Sequence, residues 1–202
     1  AENIVIANET LTTTVTGANS KWVYIIIPVQ KGTITVTWDW QYVGPSDGFV
    51  DTGFCLSDSA NFELVDGNPA PNFNEQGAMV RMTNDTTNGT GVIDVRNGDW
   101  AGGGAYEVLN PVLYQDGKKI SMRSEINIVD FTFSVYAQRE GEAEVQIAED
   151  FGFRRITTAD TDGLNCLSMW EDLAVEASIG NQCIIDNIVI AGPTSISEWA
   201  LY

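Results

Sequence analysis

The chain has 202 residues, 44% of them apolar, with Lys+Arg 10 against Asp+Glu 28, a formal net charge of -18 and no histidine. That length suffices for one large β-sandwich with a core. The acidic surface repels phosphate backbones and anionic membranes, which excludes nucleic acid as a partner. No run of about 18 apolar residues occurs, so membrane insertion is not expected. The missing histidine removes the commonest general base and zinc ligand, and with them any Ser–His–Asp arrangement.

Runs with period-2 alternation and Gly, Asn or Asp turns predict strands along the whole chain. In order they are Ile4–Ala7, Leu11–Thr16, Trp22–Pro28, Thr33–Tyr42, Phe49–Ser57, Phe62–Val65, Ala78–Met82, Gly91–Arg96, Ala105–Leu109 and Lys119–Ile128. Asp130–Tyr136, Glu142–Ile147, Leu164–Trp170 and Cys183–Ile190 complete the set as two hairpins, the second ending in a closing strand. Residues 171–178 are expected to form at most a helical turn. The expected class is all-β, an antiparallel β-sandwich spanning 1–191, followed by an extension or exit strand over 192–202 that carries Trp199 and Tyr202.

In the run 33–42, parity places Ile34, Val36, Trp38, Trp40 and Tyr42 on one face and Thr33, Thr35, Thr37, Asp39 and Gln41 on the other. The aromatic face is either core, as Ile34 and Val36 suggest, or a stacking platform for sugar rings through Trp40 and Tyr42 near the strand end. Trp100 lies in Asn97-Gly-Asp-Trp-Ala-Gly-Gly-Gly104. Glycines on both sides make a tryptophan hard to bury and let a ligand approach the backbone. Trp100 is therefore a ligand candidate, with Asp99, Tyr106 and Glu107 as polar neighbours; the alternative is a ring folded down on the sandwich edge. The alternating acids of Glu140-Gly-Glu-Ala-Glu144 span a glycine turn and read as solvated rather than as a glycosidase pair. Three sequons, at Asn8, Asn84 and Asn88, occur at a frequency expected by chance.

There are three cysteines. With a turn near residues 174–175, Cys166 falls opposite Cys183, where cross-strand Cβ atoms lie about 4.5–5.5 Å apart. A disulfide is expected there, in keeping with an oxidising compartment; the alternative is two small buried hydrophobes. Cys55 reads as a buried thiol.

The last sixty residues, ending in the closing strand Ile184-Ile-Asp-Asn-Ile188, resemble the C-terminal half of the concanavalin A-like jelly rolls, a superfamily of lectins, glucanases and carbohydrate-binding modules. The resemblance implies that Asp186 supplies a carboxylate to a structural Ca²⁺, with a second acid from near the N-terminus, Glu9 or Glu2. The alternative is an aspartate that accepts hydrogen bonds from turn amides. The Glu-x-Asp-x-x-Glu strand of the superfamily's glucanases does not occur. The resemblance thus implies a secreted, non-catalytic protein that binds a polysaccharide or other glycan. A different class is an extracellular structural subunit that self-associates through terminal strands such as Ile4–Ile6 and Ser197–Tyr202. A lyase or glycosidase without its usual signature, relying on Tyr106, Arg81 or Arg123, is the third.

Overall fold

The computed structural model describes residues 4–6, 10–14, 21–44, 51–59, 63–65, 68–70, 76–85, 90–98, 102–155, 163–172 and 181–192. They form fifteen strands and, among the described residues, no α-helix. The strands are β1 (Ile4–Ile6), β2 (Leu11–Thr14), β3 (Lys21–Gln30), β4 (Thr33–Val43), β5 (Asp51–Ser57), β6 (Glu63–Val65), β7 (Asn68–Ala70) and β8 (Gln76–Asp85). They continue with β9 (Thr90–Asn97), β10 (Ala105–Tyr114), β11 (Lys119–Asn127), β12 (Thr132–Arg139), β13 (Val145–Gly152), β14 (Leu164–Asp172) and β15 (Gln182–Ala191). Two antiparallel sheets face each other. The first has the order β1-β15-β4-β11-β12-β13, with β2 also on β15; the second runs β10-β9-β8-β5-β14-β3. This is a jelly-roll sandwich.

Alternation accounts for the core. β4 buries every second residue, so that Ile34, Val36, Trp38, Trp40 and Tyr42 point between the sheets. Trp40 is 0% and Tyr42 2% exposed, which corrects the expectation of a stacking platform there: both are core. Trp38 packs at 4.6 Å from Phe54 of the facing sheet, and Tyr42 meets Tyr114 at 5.3 Å, ring centroid to centroid. The Trp40 indole N–H donates to Cys183 Sγ at 2.6 Å, so its one polar atom is satisfied inside the core. Burying aromatics this large contributes several kcal/mol each, of order 3–5 by truncation. A gap of about 10 Å³ beside Trp38, Phe54 and Ser124 holds roughly one water centre, far too little for a sugar.

The hairpin β12–β13 forms as expected, with Gly141 at φ 78° in its turn. The second predicted hairpin does not. β14 pairs with β5 and β3 in one sheet, whereas β15 pairs with β4, β1 and β2 in the other. The connection 173–181 is long enough, at about 3.3 Å per residue, to cross the roughly 10 Å between sheets. The expected Cys166–Cys183 disulfide is corrected with it. Both thiols are free and buried. Cys183 faces the core opposite Tyr42, while Cys166 aligns with Ser57 on the far face of its own sheet, so a sheet stands between them.

Candidate functional site

The second sheet has an unusual outer face, meaning the one turned away from the core. Register aligns Trp22 (β3) with Trp170 (β14), Trp170 with Gly53 (β5), Gly53 with Arg81 (β8), and Arg81 with Asp94 (β9). Registered antiparallel partners share a face, so five strands align one row: two indoles, a bare backbone, a guanidinium and a carboxylate, of which Trp170 and Asp94 are buried. The next row brings Tyr24, Ser168, Cys55 and Met79 into line, with Arg96 and Tyr106 paired at the β9–β10 end.

Gly53 makes the row possible. A Cβ there would collide with the indole of Trp170. The ring therefore sits against the Gly53 backbone, 2% exposed and 6.3 Å from the ring of Trp22. Beneath it, Cys55 is fully buried; burial pushes its thiol up to about 12, against the opposing pull of the Trp170 indole N–H and of Arg154. It is a packing group rather than a nucleophile at neutral pH.

Arg81 is held from several sides. Its Nε and Nη2 donate to both oxygens of Asp94 at 2.9 and 2.7 Å, and Nη1 lies 3.5 Å from Asp51. Its guanidinium carbon sits 3.6 Å above the Tyr106 ring, a cation–π contact of about 0.5–2 kcal/mol. Burial opposes the charge, but Asp94 and Asp51 raise the Arg81 pKa above its ordinary value; burial also raises the Asp94 carboxyl above its ordinary value, against the opposing pull of Arg81. Two more arginines approach the same tyrosine: Arg96 at 5.4 Å from the ring centre, and Arg154, whose Nη1 donates to the Tyr106 hydroxyl at 3.4 Å. The hydroxyl itself donates to Met79 Sδ at 2.9 Å. Burial pushes the Tyr106 phenol up to about 12 despite Arg81 and Arg154, so it is a neutral hydrogen-bonding group at pH 7.

Tyr106 and Arg81, the latter named with the lyase or glycosidase reading, are thus the sequence candidates that the fold places at this site. Glu107, the next residue, alternates to the other side of β10, where it accepts a hydrogen bond from Asn97 Nδ2 at 2.9 Å. Asp99 and Trp100 lie outside the described residues. Sequence reasoning missed Trp22, Trp170, Gly53, Arg81 and Asp94 as a group. Each lies in a recognised strand, but only strand order brings them together.

Asp186 lies on the outer face of the first sheet, registered with Asp39 across β15 and β4. Asn187 stands at φ 54° where the ladder slips, and its backbone N–H donates to Asp186 Oδ1 at 2.8 Å. That is the turn-amide arrangement. Asp39 Oδ1 accepts from Ser121 at 2.9 Å, and Oδ2 from Asn187 Nδ2 at 2.8 Å and Lys119 at 3.2 Å. Burial works against the Asp39 charge, but these donors outweigh it and hold the carboxyl below its usual range. Oxygens already saturated by protons, one an ammonium, do not suit Ca²⁺, which takes six to eight oxygens. Among the described residues no group of three His, Cys, Asp or Glu side chains could hold a metal ion. Glu9 and Glu2 lie outside the described residues. Two of the three acids of 140–144 are also engaged: Glu142 pairs with Arg139 at 2.7 Å and Glu144 with Arg123 at 2.5 Å.

No family model matches the sequence, and no curated protein matches it. Solved structures do match. Peanut lectin superposes with a TM-score of 0.57 at 8% identity, covering 96% of this chain and 100% of that one. A xylan β-1,4-xylosidase from Bacillus halodurans gives 0.57 at 11% identity over 91% of this chain, which spans only 33% of the xylosidase. The carbohydrate recognition domain of Emp47p gives 0.52 at 12% identity, covering 91% and 88%. Identities this low speak to architecture, and with the two sheets and their strand order they settle it: the chain has the concanavalin A-like jelly-roll fold.

Proposed function

We propose that this protein binds carbohydrate, without catalysis, on the outer face of the β10-β9-β8-β5-β14-β3 sheet. The row Trp22–Trp170–Gly53–Arg81–Asp94 carries the reading, with Trp22, Arg81 and the neighbouring Tyr106 as its accessible members and Trp170, only 2% exposed, as the ring against which Trp22 packs. Aromatic rings suit the apolar face of a pyranose, and a fixed Arg–Asp pair offers donors and acceptors together for vicinal hydroxyls. Similarity in fold to peanut lectin and to the Emp47p recognition domain supports it. Trp100 and Asp99 remain in the proposal, because their loop joins Arg96 to Tyr106 in sequence. Glycan polymers of this kind lie outside cells, so the reading includes secretion. A structural Ca²⁺ at Asp186 belongs to it only if Glu9 or Glu2 supplies the missing oxygens.

The test is a glycan array followed by tryptophan fluorescence titration. Trp22→Ala and Arg81→Ala should each weaken binding about tenfold or more with the far-UV spectrum unchanged, since a stacked or charge-paired contact is worth 1–3 kcal/mol. Trp100→Ala should weaken it too; unchanged affinity would remove that residue from the site. EDTA should leave the melting temperature where it is, and a drop would place a metal at Asp186. One observation favours a second reading, a polysaccharide lyase: the Tyr106 hydroxyl lies against Arg154 with Arg81 over its ring. Unsaturated products from any polysaccharide would establish it.

A further inference from the structure

The sequence contains two Asn-Gly pairs, Asn88-Gly89 and Asn97-Gly98. Such a pair is chemically vulnerable. The amide nitrogen after an asparagine can attack the asparagine's own side-chain carbonyl carbon, and glycine puts no side chain in the way. The new N–Cγ bond closes a succinimide ring and the Cγ–Nδ2 bond breaks. Ammonia leaves with the proton that the backbone nitrogen gives up. Water then opens the ring at one carbonyl or the other, to aspartate or to isoaspartate.

The fold holds Asn97-Gly98 against this reaction. β9 buries Ile93 and Val95 in the core, and the same alternation brings Asn97, half-buried, to the rim where the two sheets meet. There Asn97 Oδ1 accepts from the Gly152 N–H of β13 at 3.2 Å, and Nδ2 donates to Glu107 Oε2 of β10 at 2.9 Å. The Gly98 N–H, which must lose its proton to attack, donates to Gly152 O at 2.9 Å. Gly98 stands at φ 75°, and its carbonyl accepts from Arg96 Nε at 3.2 Å. Space is tight on both sides. A Cβ on Gly104 would collide with the carbonyl oxygens of Asn97 and Gly98, and one on Gly152 would lie 3.4 Å from Gly98 Cα. Nucleophile, carbonyl oxygen and leaving nitrogen are each tied, whereas ring closure needs the reacting atoms free to approach in line. Only local opening of the rim releases them.

We propose that Asn97 is a self-modification site gated by the fold: its hydrogen bonds to Gly152 and Glu107 keep the pair unreactive, and conversion in an opened molecule stops the joint from closing again. A carboxylate in place of the carboxamide has no proton for Glu107, and like charges at that spacing repel. Isoaspartate also adds a methylene to the main chain, so Gly98 and the side chain cannot both reach Gly152. The joint stands at the start of the loop that carries Asp99 and Trp100, and it is independent of whether that loop binds a glycan.

The experiment ages the full chain at mildly alkaline pH, native and in guanidinium chloride, and follows the tryptic peptides 82–96 and 97–118 by mass spectrometry. In the denatured chain both Asn-Gly pairs should convert at similar rates, with isoaspartate the main product. In the native chain Asn97 should convert about tenfold or more slowly than in the denatured one, because only the opened fraction reacts. Equal rates in the two states would overturn the gating, and aspartate as sole product would overturn attack by Gly98. Glu107→Ala removes an exposed acceptor on the edge strand β10 and should speed native conversion severalfold, while Glu107→Gln, which keeps an acceptor oxygen, should not. No change with Glu107→Ala, or equal acceleration by both variants, would overturn the role of Glu107. Asn97→Asp introduces the charge with the main chain intact. It should lower the melting temperature by a few degrees at neutral pH, and adding Glu107→Gln, which restores a donor, should recover most of that loss. A melting temperature that does not fall, or a fall that Glu107→Gln leaves in place, would overturn the failure to reclose.

Discussion

At the scale of single residues, Gly53 carries more of the site than its size suggests. Its missing side chain is the floor on which Trp170 lies. Gly53→Ala should therefore displace the indole, weaken glycan binding about as much as Trp22→Ala, and cost about 1–3 kcal/mol through overcrowding. Urea unfolding and fluorescence titration measure the two effects separately. Trp40 shows the opposite case, a tryptophan whose indole N–H is used up by Cys183 and whose ring is wholly enclosed. The cysteines follow from burial too. Desolvation raises the Cys166 thiol far above its ordinary range, helped by Cys55 and Asp58, and leaves it inert. A reductant should leave the melting temperature unchanged. A fall matching the roughly 2–4 kcal/mol of a native disulfide would contradict the separation of Cys166 from Cys183 by a sheet.

Among the elements, the edge beside β15 is the weakest joint. β1 covers Ile188–Ile190 and β2 covers Gln182–Ile185, two short strands laid end to end on one partner, meeting where Asn187 takes its left-handed turn. Deleting residues 1–8 removes the β1 ladder and uncovers part of the β15 edge. The truncated chain should melt several degrees lower and associate in size-exclusion chromatography with light scattering, because an open edge is a template for another strand. An unshifted melting curve would show that β1 adds nothing to the sheet. Strands were largely legible in the sequence, since alternation over runs such as Thr33–Val43 and Lys119–Asn127 matches their observed burial. β7 was missed, as were Val112–Tyr114 of β10. The first lacks an apolar run, and the second follows a break in register between Glu107 and Val112 that disguises its alternation.

For the whole molecule, charge governs behaviour in acid. Asp39 and Glu144 both titrate below their ordinary values of 3.8 and 4.5. Glu144 does so through hydrogen bonding to Arg123, and Asp39 through Asn187, Ser121 and Lys119 in spite of its burial. A depressed folded-state value means stability that is present above the unfolded value and lost as pH falls through the folded one. Melting temperature should hold above about pH 5 and drop below pH 4. Asp39→Asn should flatten part of that drop, and a slope identical to that of the unsubstituted chain would discount the Asp39 cluster. The amino-acid sequence alone determined the class of fold, the strand faces and the acidic surface, because period and charge are local properties that need no partner. Only the tertiary structure decided which strands are neighbours. The placement of β14 and β15 in opposite sheets separated Cys183 from Cys166, the facing sheet enclosed Trp40, and five separate strands had to align before Trp22, Trp170, Gly53, Arg81 and Asp94 became one row. Alternation reports which way a side chain points but not what lies across from it, and a binding face on a sheet is made from what lies across.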